Sequence, residues 1–282
     1  MWVRFQFENN WIMADTSKPI SLAHQIVPNE EPTVSAFYLS AATSSPVEAG
    51  EFVGDTRRGG SVNCEVLHIA PHGNGTHTEG VGHITYARIP VTNALPAPLM
   101  LTVLLDVQPV RLKDVKESYS GQHDGDDWVI TARALENAWQ KSNTFDLSPP
   151  AFVIRACKDF FKDGKALFSG KNPPYFTDQA MGWVRAMGAS HLLTDIPSVD
   201  REDDGGGVCA HRIFWELKNR NDEPTGEAKT RTITELCNIP KDLPEGIYLL
   251  NLQLPPVKSD AVPSWPMLYE AQLVENDGQT HG

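Results

Sequence analysis

Several features are scarce in this chain, and each absence narrows what it can be. No apolar run approaches the roughly 20 residues that a membrane-spanning helix needs. The opening segment, Met-Trp-Val-Arg-Phe-Gln-Phe-Glu-Asn-Asn, lacks the basic-then-apolar order of a secretory leader. A cytoplasmic protein is therefore expected. Basic residues are outnumbered, 24 Lys and Arg against 36 Asp and Glu, for a net charge of −12. That balance argues against nucleic acid and anionic membrane as partners, since both need a basic face. Cysteine is sparse: Cys64, Cys157, Cys209 and Cys237 form no Cys-x-x-Cys pair, so neither a zinc knuckle nor a disulfide scaffold is expected. No internal repeat or low-complexity tract interrupts the 282 residues, and 40% hydrophobic with 21% charged residues is ordinary globular composition.

What the chain does have is concentrated in one place. From 72 to 83 it reads His72-Gly-Asn-Gly-Thr-His77-Thr-Glu79-Gly-Val-Gly-His83, three histidines and a carboxylate among four glycines. Of the nine histidines, four (His68, His72, His77 and His83) fall between 68 and 83. Imidazole nitrogen and carboxylate oxygen are the donors a divalent metal takes, and glycines allow the tight folding that brings close neighbours onto one ion. A solvated Gly-rich turn is the plainer account of such a segment. Spacing counts against it: His77 and Glu79 share one face of an extended strand, and His83 returns after Gly-Val-Gly. The partial alternation of Val62, Cys64, Val66 and His68 predicts a strand feeding the cluster, with His68 as a packed residue beside it rather than a ligand.

Elsewhere the pattern alternates strands with a few helices. The first twenty residues read as irregular or weakly strand-like, and the Pro-, Ser- and Gly-rich stretch 28–60 as loops and short strands. Buried strands are predicted at 99–107, 152–156, 192–194 and 247–254. Thr131 caps a helix carrying Leu135, Ala138 and Trp139 on one face. Thr177 starts another, with Ala180, Val184 and Met187 sharing a face and Gly188 as its stop. Asp195 and Asp200 read as turn-forming residues around Pro197. Glu202-Asp-Asp204 followed by three glycines reads as a solvated loop that can act as a lid.

The cluster resembles the His-x-Gly-Thr-His-x-Asp-x-Pro-x-His string of the bacterial kynurenine formamidase-like, or cyclase-type, metal-dependent hydrolases. Gly75, Thr76, His77, the acid Glu79 and His83 match. Three positions depart: His72 stands one residue too far from Gly75, so a bulge is needed, Glu79 replaces Asp, and Val81 replaces Pro. Two later segments also resemble the family in order: Asp195-Ile-Pro197-Ser198-Val-Asp200 followed by Ala210-His211, and Ile233-Thr-Glu235-Leu-Cys-Asn-Ile239. Between them, 217–232 reads as an insertion near the site mouth.

The resemblance implies an α/β fold, a mixed-sheet swivelling β/β/α single domain over 1–282, with 1–19 and 257–282 as peripheral extensions. It implies one or two divalent ions per chain, zinc or manganese, held by His72, His77, Glu79, His211 and Glu235, with His83 as the acid/base. The implied reaction is hydrolysis of a small amide or cyclic amide, a formamide or lactam, by metal-activated water. The implied assembly is a homodimer or higher homo-oligomer. The family's N-terminal Trp-Pro-Gly-like turn has no counterpart here. Phe37 and Tyr38 stand in the comparable region as candidates for substrate contact. A metal-dependent cyclase or lyase, and a catalytically silent metal- or ligand-binding protein of the same fold, are the alternatives.

Overall fold

The computed structural model describes residues 1–94, 97–142, 147–158 and 165–274; His281 and the end of the segment expected to be peripheral lie outside them. One 11-stranded sheet organises the chain. Its strands are β1 (Trp2–Phe7), β2 (Asn10–Asp15), β3 (His77–Gly80), β4 (Leu99–Asp106), β5 (Ala151–Arg155), β6 (His191–Thr194), β7 (Thr232–Glu235), β8 (Gly246–Asn251), β9 (Ala261–Pro263) and β10 (Met267–Val274), with Ile20–Ser21 pairing β10. The order across the sheet is β1-β2-β10-β8-β4-β5-β6-β7-β3-β9. The middle four, β4 to β7, are parallel, and the flanking pairs are antiparallel.

A parallel centre has to be covered on both faces, and residue alternation divides the core accordingly. Val103, Leu105, Phe152, Ile154, Leu192 and Ile233 face one apolar cluster. Leu104, Ala151, Val153 and Leu193 face the other. The first is closed by helices α1 (Ala132–Ser142), α2 (Asp178–Ala186) and α3 (Cys209–Trp215). Local chemistry fixes the ends of two of them as expected. Thr131 accepts a hydrogen bond from the Ala134 amide at 3.1 Å and Thr177 from the Ala180 amide at 3.0 Å. Gly188, at φ 79°, takes the left-handed conformation that ends α2.

The outer strands differ from the expectation. The first fifteen residues form a regular hairpin, β1 with β2, because Ile12 and Ala14 are fully buried on one face. The two segments expected to be peripheral both supply strands to the sheet: β2 pairs β10, and β9 pairs β3. Among the described residues no helix is long and apolar enough to cross a membrane.

Phe152 lies at the centre of the larger core, with the Trp139 and Trp183 rings at 5.6 and 5.7 Å. Phe152→Ala is expected to cost about 3–5 kcal/mol in urea unfolding.

Candidate metal centre

β3 is the foundation of the site. It runs between β7 and β9, with His77 opposite Glu235 and Glu79 opposite Ile233 on one side. On the other side Glu79 lies opposite Ala261 and His77 opposite Pro263. Period-2 alternation turns His77 and Glu79 to one face, as their spacing predicts. Thr78, pointing the other way, is fixed by Thr234 and Ser264 oxygens, each at 2.8 Å. Thr76, just before the strand, accepts from the His24 amide at 3.0 Å and donates to the Leu236 carbonyl at 2.5 Å.

The extra residue between His72 and Gly75 is absorbed by a single helical turn, Pro71–Asn74. Pro71 suits its first position. Asn74 clamps it, accepting from the Ala70 amide at 2.7 Å and donating to the Ser40 carbonyl at 2.8 Å. This turn brings the His72 Nδ1 to 3.4 Å from Glu79 Oε2. After β3 the chain reverses through Gly82, where a Cβ would lie 2.0 Å from the Ile89 carbonyl oxygen, so only glycine fits. The reversal sets His83 Nε2 3.6 Å from Glu79 Oε2.

Two atoms in this cluster are buried without a hydrogen-bond partner: His77 Nε2 and Glu79 Oε2. Burying such groups unsatisfied is costly. The His77 Nδ1 proton is directed at the Gly75 carbonyl, 3.1 Å away, which leaves Nε2 as a bare lone pair, the tautomer a metal ligand needs. Ligands about 2.1 Å from a tetrahedral ion stand about 3.4 Å from one another. The observed separations are close to that: 3.4 Å from His72 to Glu79, 3.6 Å from His83 to Glu79, and 3.5 Å from His77 Nε2 to Glu235 Oε2. Donor atoms of His72, His77 and Glu79 all lie within 4.8 Å of each other. The residues therefore fit a divalent ion, with the two partnerless atoms marking where it would sit.

His211 reaches the cluster from the first turn of α3, but both of its nitrogens are engaged. Nε2 lies 2.8 Å from Glu79 Oε1, and Nδ1 is in close contact with Asp200. Asp200 also accepts from the amides of Ala210 and His211 at 2.6 and 3.2 Å. Burial disfavours charge on His211, yet Glu79 and Asp200 outweigh it and raise its pKa well above the ordinary value. Asp200 is thus a holder of His211, not a turn former alone, and Tyr119 braces it with a hydroxyl 2.7 Å away. Glu235 ends the buried strand β7. Its Oε1 accepts from the Val199 amide at 2.9 Å, which leaves Oε2 toward His77.

Asp260 is a member the sequence did not reveal. Its Oδ2 lies 3.0 Å from His72 Nε2 and 3.2 Å from His83 Nδ1. These two imidazoles hold its carboxyl well below the usual carboxylate range. It stands immediately before β9, whose pairing with β3 carries it there; no motif in Lys258-Ser-Asp260 signals this. His83 and Asp260 line a cavity of about 1100 Å³. The insertion at 217–232 reaches the same cavity through Arg220, whose carbonyl accepts from the Tyr86 amide at 2.9 Å.

Other expectations differ from the structure. His68 is exposed on a two-stranded ribbon, Thr43–Pro46 with Glu65–His68, not packed beside the cluster. Phe37 and Tyr38, both at positive φ, line a separate concavity with Gly170 and Arg201. The acidic loop is an ordered turn: Asp204 is buried and accepts from the Gly206 and Gly207 amides at 2.8 and 3.1 Å. Asp195 is buried and accepts from the Ala156 and Cys157 amides, both at 2.9 Å.

Comparison with known proteins identifies the family and the fold. The family model described as "Putative cyclase" matches residues 20–201, well over half of the chain. The chain belongs to this cyclase family. Its fold is shared with a potential metal-dependent hydrolase with cyclase activity, at 14% identity and a TM-score of 0.55, over 90% of this chain and 98% of that one. It is shared too with isatin hydrolase A from Labrenzia aggregata, at 14% identity and a TM-score of 0.58, over 90% and 94%. A third neighbour, described as a novel cyclase, aligns at 15% identity and a TM-score of 0.58, over 91% and 90%. No curated protein matches the chain by sequence.

Metal uptake is expected to release protons. Burial lowers the His72 pKa, but its hydrogen bond to Asp260 and the negative charge of Glu79 outweigh that and raise it to about 10. At neutral pH an incoming ion must therefore displace a proton from His72, and affinity rises with pH, by about tenfold per unit for each proton displaced. Zinc titration calorimetry between pH 7 and 8.5, in buffers of different ionisation enthalpy, measures this. An ordinary histidine is already neutral there, so a flat profile would refute the His72 assignment.

Proposed function

We propose that this chain is a metal-dependent hydrolase of small amides or cyclic amides, formamides or lactams, with zinc or manganese held by His72, His77 and Glu79. The observation that carries this reading is the pair of buried, partnerless atoms, His77 Nε2 and Glu79 Oε2, facing one point among imidazoles. Membership of the cyclase family supports it, as does the fold shared with a potential metal-dependent hydrolase and with an isatin hydrolase. Nitrogen and carboxylate donors suit both metals.

A divalent ion in such a site polarises a carbonyl and brings the pKa of water toward neutrality. The protein's own groups do the rest. His83 borders the cavity and carries the proton between attacking water and leaving nitrogen, a role suited to imidazole. Asp260 orients His83 through Nδ1, leaving Nε2 for that transfer. Asp200 and His211 fix Glu79 from behind through its Oε1. In the balanced reaction the C–N bond breaks, the oxygen of water stays on the carbonyl carbon, and its proton goes to nitrogen. Glu235, with Oε2 beside His77, can complete the shell, whereas His211, with both nitrogens engaged by Glu79 and Asp200, is left to position Glu79.

Elemental mass spectrometry on protein purified without chelator tests the site. One or two equivalents of metal per chain are expected, with loss in His77→Ala. No metal in either protein, even after incubation with zinc and manganese, would sink the hydrolase reading. His83→Ala is expected to retain metal while losing about 10²- to 10⁴-fold in turnover of formanilide or isatin. Reaction in ¹⁸O-water should put label in the carboxylic product; unlabelled product would point to a lyase or cyclase instead.

A further inference from the structure

The cavity beside His83 carries a charge pattern at odds with the rest of the molecule. In a chain of net charge −12, its wall presents Arg88, Arg212, Arg220 and Lys258, with Asp260 as the one lining carboxylate. Asp260 is already engaged by His72 and His83. Among the described residues, none of the four cations is in an ion pair, as is also true of Arg4, Arg111 and Arg133; what sets the four apart is that they line one cavity. Like charges gathered around one concavity repel unless an anion joins them. Arg88 also adopts φ 47°, a left-handed conformation that non-glycine residues rarely take and that tends to collect at ligand-binding positions. The four come from separate segments: the loop after β3, helix α3, the 217–232 insertion and the approach to β9. Their convergence belongs to the fold and not to a basic run in the sequence.

We propose that this cavity selects substrates bearing an anionic group, a carboxylate carried on the part of the molecule remote from the scissile amide. The proposal rests on the amidase reading for its chemistry, with the hydrolysed carbonyl at the His83 end and the anion toward the arginines. Arginine suits the task because its planar fork meets a carboxylate with two parallel hydrogen bonds. A cavity with one sign of charge also concentrates such substrates from solution.

The test uses zinc-loaded protein and two probe pairs, 2- and 4-formamidobenzoate with their methyl esters. For at least one pair the acid is expected to exceed its ester in kcat/KM by about tenfold or more. That ratio should fall toward one at high salt and in Arg88→Gln/Arg212→Gln protein of unchanged metal content. A ratio near one in the wild type, or one the double variant leaves intact, overturns the proposal while leaving the amidase reading standing. Titration calorimetry with the same acids separates the two ideas if neither pair is cleaved. Acid binding that weakens in the double variant retains the anion site and removes the amidase reading, whereas no acid binding overturns the anion site.

Discussion

The site depends on one electrostatic requirement: Glu79 is a carboxylate with no solvent exposure. An isolated charge so placed would be strongly disfavoured, and the fold retains it only by surrounding it with groups that carry or attract positive charge. His211 meets one oxygen, and His72 and His83 approach the other. Burial alone would raise the Glu79 pKa, but the nearby charges of His83 and His211 and the hydrogen bond from His211 bring it well below the ordinary value. The balance is incomplete, because Oε2 still lacks a hydrogen bond. A dication would answer that residual demand, which is how the burial of the carboxylate supports the proposed metal site.

The sheet makes this arrangement rigid. β3 has a hydrogen-bonded neighbour on each side, so the strand bearing two of the cluster's side chains cannot slip without losing two ladders. Its neighbour β7 is the last strand of the four-stranded parallel centre, which is buried on both faces. Glu235 and Asp260 arrive through those same two pairings. The histidines that flank β3, by contrast, sit on a one-turn helix and a glycine reversal. Fixed donors on strands and adjustable donors on turns suit the proposed centre, in which one group of side chains would hold an ion and a histidine on a turn would handle protons.

How much of this could be read in the sequence follows from the range of each interaction. His77 and Glu79 were legible because a period of two is a local property of a strand, and Thr131, Thr177 and Gly188 because helix ends are chosen locally. The displaced His72 could be named but not placed, since the helical turn that absorbs the extra residue depends on an Asn74 hydrogen bond to Ser40, far back in the chain. Asp260 was invisible for the same reason: its partners are His72 and His83, and only the pairing of β9 with β3 joins them. Asp200 was read as a turn former because its effect on His211 acts across a helix start whose orientation no spacing rule supplies. The acidic loop misled in the opposite way, because composition suggests solvation whereas Asp204 turns inward to gather successive amides.

The glutamate that replaces the family's aspartate gains a meaning from this geometry. Glu79 uses its two oxygens differently: Oε1 is spent on His211 at 2.8 Å, while Oε2 faces His72 and His83 at 3.4 and 3.6 Å. One carboxylate thereby spans from the Asp200–His211 pair behind the strand to the imidazoles at the cavity. An aspartate at the same backbone position is one methylene shorter and would draw both oxygens back toward β3, so reaching one set would mean leaving the other. The longer arm also couples the two sets, because any change in the charge of His211 is felt through a single side chain at the metal-facing oxygen. The substitution and the off-register His72 compensate for each other on this view. The helical turn carries His72 to where the extended carboxylate ends, and the separation that results, 3.4 Å, is that of two ligands sharing one ion.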